Sequence, residues 1–150
     1  MKVLVLVISA VIAAVSISYG LGIASAMSTS GAKVKTRTTS LGRIVVNVGG
    51  RSLYLFEKDK GGKSACYGQC ATFWPPVLTR GKPVAGAGVK AKLLGVTKRK
   101  NGTHQVTYAG HPLYRYTADA RPGQTTGEGL NLFGGGWDVV APSGKKIDSD

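Results

Sequence analysis

Acidic side chains are scarce in this sequence: 7 Asp and Glu stand against 20 Lys and Arg over 150 residues, a formal net charge of +13. Such a balance predicts attraction to polyanions. Nucleic acid is not the expected partner, because no nucleic-acid module and no basic helix is present. The charges are instead dispersed, with small clusters at Lys58-Lys60-Lys63, Lys98-Arg99-Lys100 and Lys145-Lys146. Cysteine is as scarce as acid. Two residues, Cys66 and Cys70, give no Cys-x-x-Cys redox motif and no Cys-x-x-Cys-His for covalent haem. Gly-x-Ser-x-Gly, His-Glu-x-x-His and a phosphate-binding glycine loop are all missing, so no familiar enzyme motif is assembled and no cofactor is implied. Beyond residue 26 there is also no good amphipathic helix, while glycine is abundant at 22 residues, which turns the fold class toward all-β.

The one long uncharged stretch is N-terminal. After Met1-Lys2, residues 3–23 carry no charge, and Ala24-Ser25-Ala26 then supplies the small-x-small pattern of a signal peptidase site. The expectation is a signal peptide over residues 1–26, the alternative being an uncleaved membrane anchor. Either form sends the rest of the chain out of the cytoplasm, and membrane contact through this segment requires the uncleaved form. Residues 27–42 are rich in Ser and Thr, carry Lys33, Lys35 and Arg37 and hold few large apolar groups. Too little apolar surface is available there to offset the entropy of ordering, so a flexible basic tether is expected. The remaining residues, 43–150, suffice for one small domain.

That domain repeats itself. Gly50-Arg51-Ser52-Leu53-Tyr54-Leu55-Phe56-Glu57-Lys58-Asp59 aligns without a gap on Gly110-His111-Pro112-Leu113-Tyr114-Arg115-Tyr116-Thr117-Ala118-Asp119. Both follow an alternating β-branched or mixed strand and a turn, Gly49-Gly50 in the first copy and Ala109-Gly110 in the second. Asn101-Gly102 marks a further hairpin. Trp137-Asp138-Val139-Val140 looks like a closing strand with Trp74-Pro75-Pro76-Val77 as its irregular counterpart. The expected architecture is one small all-β domain of two pseudo-symmetric antiparallel hairpin repeats, about 43–79 and 103–141. Each copy alone is too small for a stable core.

Period-two geometry sets Tyr54 with Phe56 on one strand face, and Tyr114 with Tyr116 on the other copy. These aromatics are expected to be matching slabs of core rather than an exposed ligand platform. Asp59 and Asp119 each lie five residues beyond a Tyr, about 16 Å along an extended strand, too far to reach their own hydroxyl. They are expected to fix turns by accepting backbone N–H bonds, with a paired acid/base role as the sharper alternative.

These motifs carry a resemblance. Tyr54-Leu55-Phe56-Glu57-Lys58-Asp59, Cys66-Tyr67-Gly68-Gln69-Cys70, Phe73-Trp74-Pro75-Pro76, Tyr114-Arg115-Tyr116-Thr117-Ala118-Asp119 and Gly136-Trp137-Asp138-Val139-Val140 resemble the secreted repeat family with a Tyr-x4-Asp motif. Its members are predicted bacterial lipoproteins carrying Tyr-x-(Phe/Trp/Tyr)-x-x-Asp. The resemblance implies an exported, envelope-associated bacterial protein with no established activity. This chain lacks the lipid-bearing N-terminal Cys of the lipoprotein members.

Cys66 and Cys70 sit in a compartment that permits disulfides, and residues four apart in a helical turn lie about 6 Å apart, within bridging range. A local staple around Tyr67-Gly68-Gln69 is expected. The competing reading adds His104 and His111 to the cysteines as a Cys2His2 site for metal or non-covalent haem, although the six residues between the histidines are a wide spacing. The function expected overall is an exported, non-catalytic envelope module that associates with anionic wall polymers or lipid headgroups. A secreted redox or metal-handling protein is the alternative, and a wall hydrolase using Asp59 and Asp119 is a third reading.

Overall fold

Two hairpins of the same plan, interleaved rather than set side by side, organise the chain. The computed structural model describes residues 30–148, and the leader expected over residues 1–26 lies outside them. Strands run in the order β1 (Lys33–Thr39), β2 (Gly42–Asn47), β3 (Tyr54–Phe56), β4 (Val84–Ala85), β5 (Leu94–Lys98), β6 (His104–Tyr108), β7 (His111–Pro112), β8 (Leu130–Leu132) and β9 (Gly135–Val139). A five-residue helix, α1 (Gln69–Phe73), and a 3-10 turn at Ala91–Leu93 complete the described elements, so the fold is all-β.

Three small sheets, ordered β2-β1-β4, β3-β9-β8 and β5-β6-β7, are joined by bridges that obey a local twofold. Tyr54 and Tyr114 face each other and exchange both backbone hydrogen bonds, at 2.9 and 3.0 Å. On its other side Tyr54 pairs with Val139, and Tyr114 pairs with Pro76. Each return strand is thus flanked by the closing segment of the opposite copy. A single copy cannot supply its own ladder partner, which is why the two repeats form one domain. The irregular Trp74-Pro75-Pro76-Val77 segment fits because the backbone N–H groups of Val77 and Arg115 reach Leu113 and Pro75 without requiring donors from the prolines.

Both faces of this central layer are covered. Ile44, Val46, Tyr54, Phe56, Trp74, Tyr114, Trp137 and Val139 pack on one side, with Val34, Val45, Leu53, Leu55, Val106, Tyr108, Leu113 and Val140 on the other. Burial on two faces accounts for β3 being buried at all three residues rather than at alternate ones.

One expectation is corrected here. Residues 33–39 are not part of a flexible tether: they form β1, paired with β2 over six residues from Val34↔Asn47 to Thr39↔Gly42. Val34 alone is fully buried, and the backbone ladder together with the β-branched threonines supplies the rest. Val48, just past the end of β2, is 64% exposed. The first hairpin has a three-residue loop at residues 48–50, since Val46 bridges Ser52 and the Asn47 carbonyl accepts the Gly50 N–H. The second has the tight two-residue form, with Tyr108 opposite His111.

Candidate functional site: a cross-braced aromatic core

The repeated Tyr and Asp residues meet, but across the copies. The Tyr54 hydroxyl donates to Asp119 Oδ2 at 2.6 Å, and the Tyr114 hydroxyl donates to Asp59 Oδ2 at 2.8 Å. Each Asp also fixes its own loop, as expected: Asp59 Oδ1 accepts the Ala65 N–H at 2.7 Å, and Asp119 Oδ1 accepts the Thr126 N–H at 2.9 Å. The five-residue spacing that keeps an Asp from its own Tyr therefore delivers it to the Tyr of the other copy. Burial pushes both tyrosine hydroxyls well above the usual phenol range, with the facing carboxylate adding to the shift in each case. At neutral pH both remain proton donors. Burial raises the Asp59 carboxyl, against the lowering pull of the Ala65 N–H, Tyr114 and Arg99.

Inside this frame four rings form a continuous stack. Phe56 lies on Trp137 at 4.0 Å between centroids, Trp137 on Trp74 at 3.9 Å, and Trp74 on Tyr116 at 4.1 Å, with interplanar angles of 9°, 7° and 19°. Tyr54 and Tyr114 meet the two indoles edge-on, each at 5.2 Å. Phe56 and Tyr116 are repeat equivalents, as are the two tryptophans, so the twofold passes between the indoles. Gly127 backs the stack: a Cβ there would stand 2.6 Å from Trp74 Cη2. Its N–H donates to the Tyr54 hydroxyl at 3.2 Å.

The copies differ in one polar network. Arg99, grouped by sequence with a basic surface cluster, is only 4% exposed. Strand alternation sends Thr97 and Arg99 inward and Lys98 and Lys100 outward. Its guanidinium donates to Ser64 Oγ at 2.8 Å, Gln105 Oε1 at 2.7 Å and the Cys66 carbonyl at 2.7 Å, and it lies over the Tyr67 ring. Ser64 Oγ also hydrogen-bonds the Tyr114 hydroxyl at 2.8 Å. This cluster ties the cysteine loop to one of the two Tyr–Asp braces, and nothing in the sequence pattern singles out Arg99 for it.

The metal and redox set does not come together. Cys66 and Cys70 are joined as a disulfide with Cα atoms 5.3 Å apart, so neither offers a thiolate. His104 and His111 flank opposite ends of β6, about 13 Å apart along the strand. They border separate hollows, His104 beside Leu78 and Arg80 and His111 beside Glu57 and Lys60. Among the described residues no three His, Cys, Asp or Glu side chains are grouped to hold a metal ion. As for the hydrolase reading, both oxygens of Asp59 and of Asp119 already accept structural hydrogen bonds.

A third aspartate behaves differently. Asp138, on β9, is buried, and its Oδ2 has no hydrogen-bond partner among the described residues. Burial raises its carboxyl above the ordinary value of 3.8, more than nearby Lys146 lowers it. A raised carboxyl is protonated in the folded protein at pH values where the unfolded chain is already ionised. Its destabilising effect is therefore absent below the unfolded value and fully present above the folded one. Asp138→Asn is expected to raise Tm relative to the parent by an amount that grows as pH rises from about 4 to about 7. A pH-independent difference in parallel thermal melts would contradict this.

Comparison with known proteins adds one result. A model of a family described as a secreted repeat of unknown function matches residues 35–78 and again residues 95–141, together more than half of the chain. The two matches begin inside β1 and at β5, so each includes the strand that precedes its hairpin. No curated protein and no solved structure matches.

Proposed function

From the premise that this chain belongs to the secreted-repeat family of unknown function, we propose that it is a non-catalytic module of a bacterial cell envelope that associates with anionic envelope components. The observation that carries this reading is the use made of the scarce acids. Asp59 and Asp119 are bound to tyrosines and loop N–H groups, and Glu128 accepts the Val139 N–H at 2.6 Å. Asp138 is buried, while Glu57 and Asp148 both engage Lys146, at 2.9 and 3.1 Å. Lys58, Lys60, Lys63, Lys98, Lys100 and Arg115 meanwhile stand exposed. Folding thus engages every described acid in a structural hydrogen bond, an ion pair or burial, and leaves the positive charge, Arg99 apart, largely at the surface of a cross-braced scaffold. Cations displayed on a prefolded surface attract polyanions at long range without the cost of ordering the backbone.

Binding to a polyanionic wall polymer and to anionic vesicles is expected to weaken at least about tenfold between about 0.1 M and about 1 M salt, as the screening length falls from about 10 Å to about 3 Å. Neutral polysaccharide and phosphatidylcholine are expected not to bind. Absence of binding at low salt, or binding insensitive to salt, would overturn the proposal.

A further inference from the structure

We propose that the tip of the β8–β9 hairpin is a membrane-docking element, seating Phe133 with Phe73 and Leu132 in the interfacial layer of a bilayer rich in anionic lipid; the lipid choice rests on the anionic-envelope reading above. Leu132 pairs with Gly135, which leaves a two-residue loop of Phe133 and Gly134. Their φ angles are 58° and 85°, the left-handed pair of a type I′ turn. This turn favours Asn, Asp or Gly at its first position, and a bulky aromatic there is a steric outlier. The β6–β7 loop makes the same kind of turn with a small residue, Ala109 at φ 50° followed by Gly110 at φ 81°.

Burial does not compensate Phe133 for this conformation. The side chain is 36% exposed, and its ring sits 6.1 Å from that of Phe73, itself 45% exposed, with Leu132 beside it at 41%. Three large apolar groups are thus gathered at one tip, against the ordinary expectation that exposed apolar residues are scattered. The hairpin that carries them is tied to the core. The Trp137 indole N–H donates to the Leu132 carbonyl at 3.0 Å, and a Cβ on Gly135 would stand 2.9 Å from the Phe56 ring. A strained aromatic at an exposed tip tied to the core points to recognition rather than packing.

The flanking charge selects the occupant. Lys58 lies against the turn, its Nζ 3.4 Å from the Phe133 carbonyl. Arg115 is exposed on the segment whose Thr117 N–H bonds the Phe73 carbonyl at 3.0 Å. An apolar tip collared by long cationic side chains matches the bilayer interface, where the rings enter the acyl boundary and the cations meet anionic headgroups. Among the described residues no helix is long and apolar enough to cross a membrane.

The test uses the exported chain and two variants with the same N-terminus. Phe133→Asn places a favoured residue in the turn, so Tm is expected to hold or rise while partition onto phosphatidylglycerol-containing vesicles weakens at least about tenfold. Phe133→Trp reports on this position locally: its added indole fluorescence is expected to be quenched by brominated lipid in those vesicles and not in pure phosphatidylcholine. Equal vesicle binding by the parent and Phe133→Asn overturns the docking role, as does an unquenched indole in vesicle-bound Phe133→Trp protein. If the parent still binds anionic polymers in a salt-sensitive way, that failure leaves the broader proposal standing. If the parent binds neither polymer nor vesicle at low salt, both proposals fall.

Discussion

Alanine in place of Trp137 is expected to destabilise the fold by about 3–5 kcal/mol, the range for removing a large buried aromatic. The indole is fully buried and is sandwiched by Phe56 and Trp74, with Tyr114 against its edge. Its loss therefore deprives three rings of a partner at once, where each favourable aromatic pair contributes roughly 0.5–1.5 kcal/mol beyond area burial. Small domains have only about 5–15 kcal/mol of total stability, so this one change should remove a large part of it. Phenylalanine substitutions separate stacking from hydrogen bonding. The Trp137 N–H is bonded to Leu132, whereas the Trp74 Nε1 is buried without a partner among the described residues. Trp137→Phe is accordingly expected to cost more than Trp74→Phe, because only the first leaves a carbonyl that has lost its donor. Denaturant titrations of the three variants measure this directly. A Trp137→Ala loss below about 1 kcal/mol would mean the stack does not organise the core.

Much of this frame is legible in the sequence. The gapless ten-residue repeat, the Asn-Gly signal between β5 and β6 and the closing Trp137 strand all appear where their local chemistry indicates, because each depends on neighbours in sequence. The Cys66–Cys70 staple is equally local, since four residues in a helical turn bring the two Cα atoms within range. What was not legible depends on distant parts of the chain. Lys33–Thr39 reads as tether because a segment with one buried apolar residue looks unable to order itself. Its stability comes from the β2 ladder, which composition does not display. Arg99 reads as surface charge for a related reason: its burial is made possible by Ser64, Gln105 and the Cys66 carbonyl, which lie 35, 6 and 33 residues away.

The Tyr–Asp motif is the instructive intermediate case. Strand geometry correctly excludes a bond between each Asp and its own Tyr, and the duplication supplies a second Tyr for each. What linear spacing does not contain is the twofold at Tyr54 and Tyr114, which turns two unreachable pairs into two reachable ones. A Tyr-x4-Asp motif present once would have no partner for either side chain. Its double occurrence is a condition of the fold, and this explains why the motif is so strongly marked while lying largely out of solvent.

Removing that bracing is the second large effect expected. Asp119→Ala should cost about 3 kcal/mol, because it leaves the buried Tyr54 hydroxyl and the Thr126 N–H without their charged acceptor. Asp59→Ala should cost less. Asp59 is partly exposed, its carboxylate already bears a desolvation burden, and the Tyr114 hydroxyl keeps Ser64 Oγ as a hydrogen-bond partner at 2.8 Å. The decisive quantity is the coupling between copies, from a double-mutant cycle of Tyr54→Phe and Asp119→Asn at neutral pH. Residues in one buried, charge-assisted contact are expected to couple by about 1.5–3 kcal/mol, although they are 65 positions apart in sequence. Coupling below about 0.5 kcal/mol would reduce Asp119 to a loop-fixing residue. Tyr54 would then be simply another wall of the aromatic core. Coupling of the expected size would instead identify each repeat's motif as the lock that closes the other repeat.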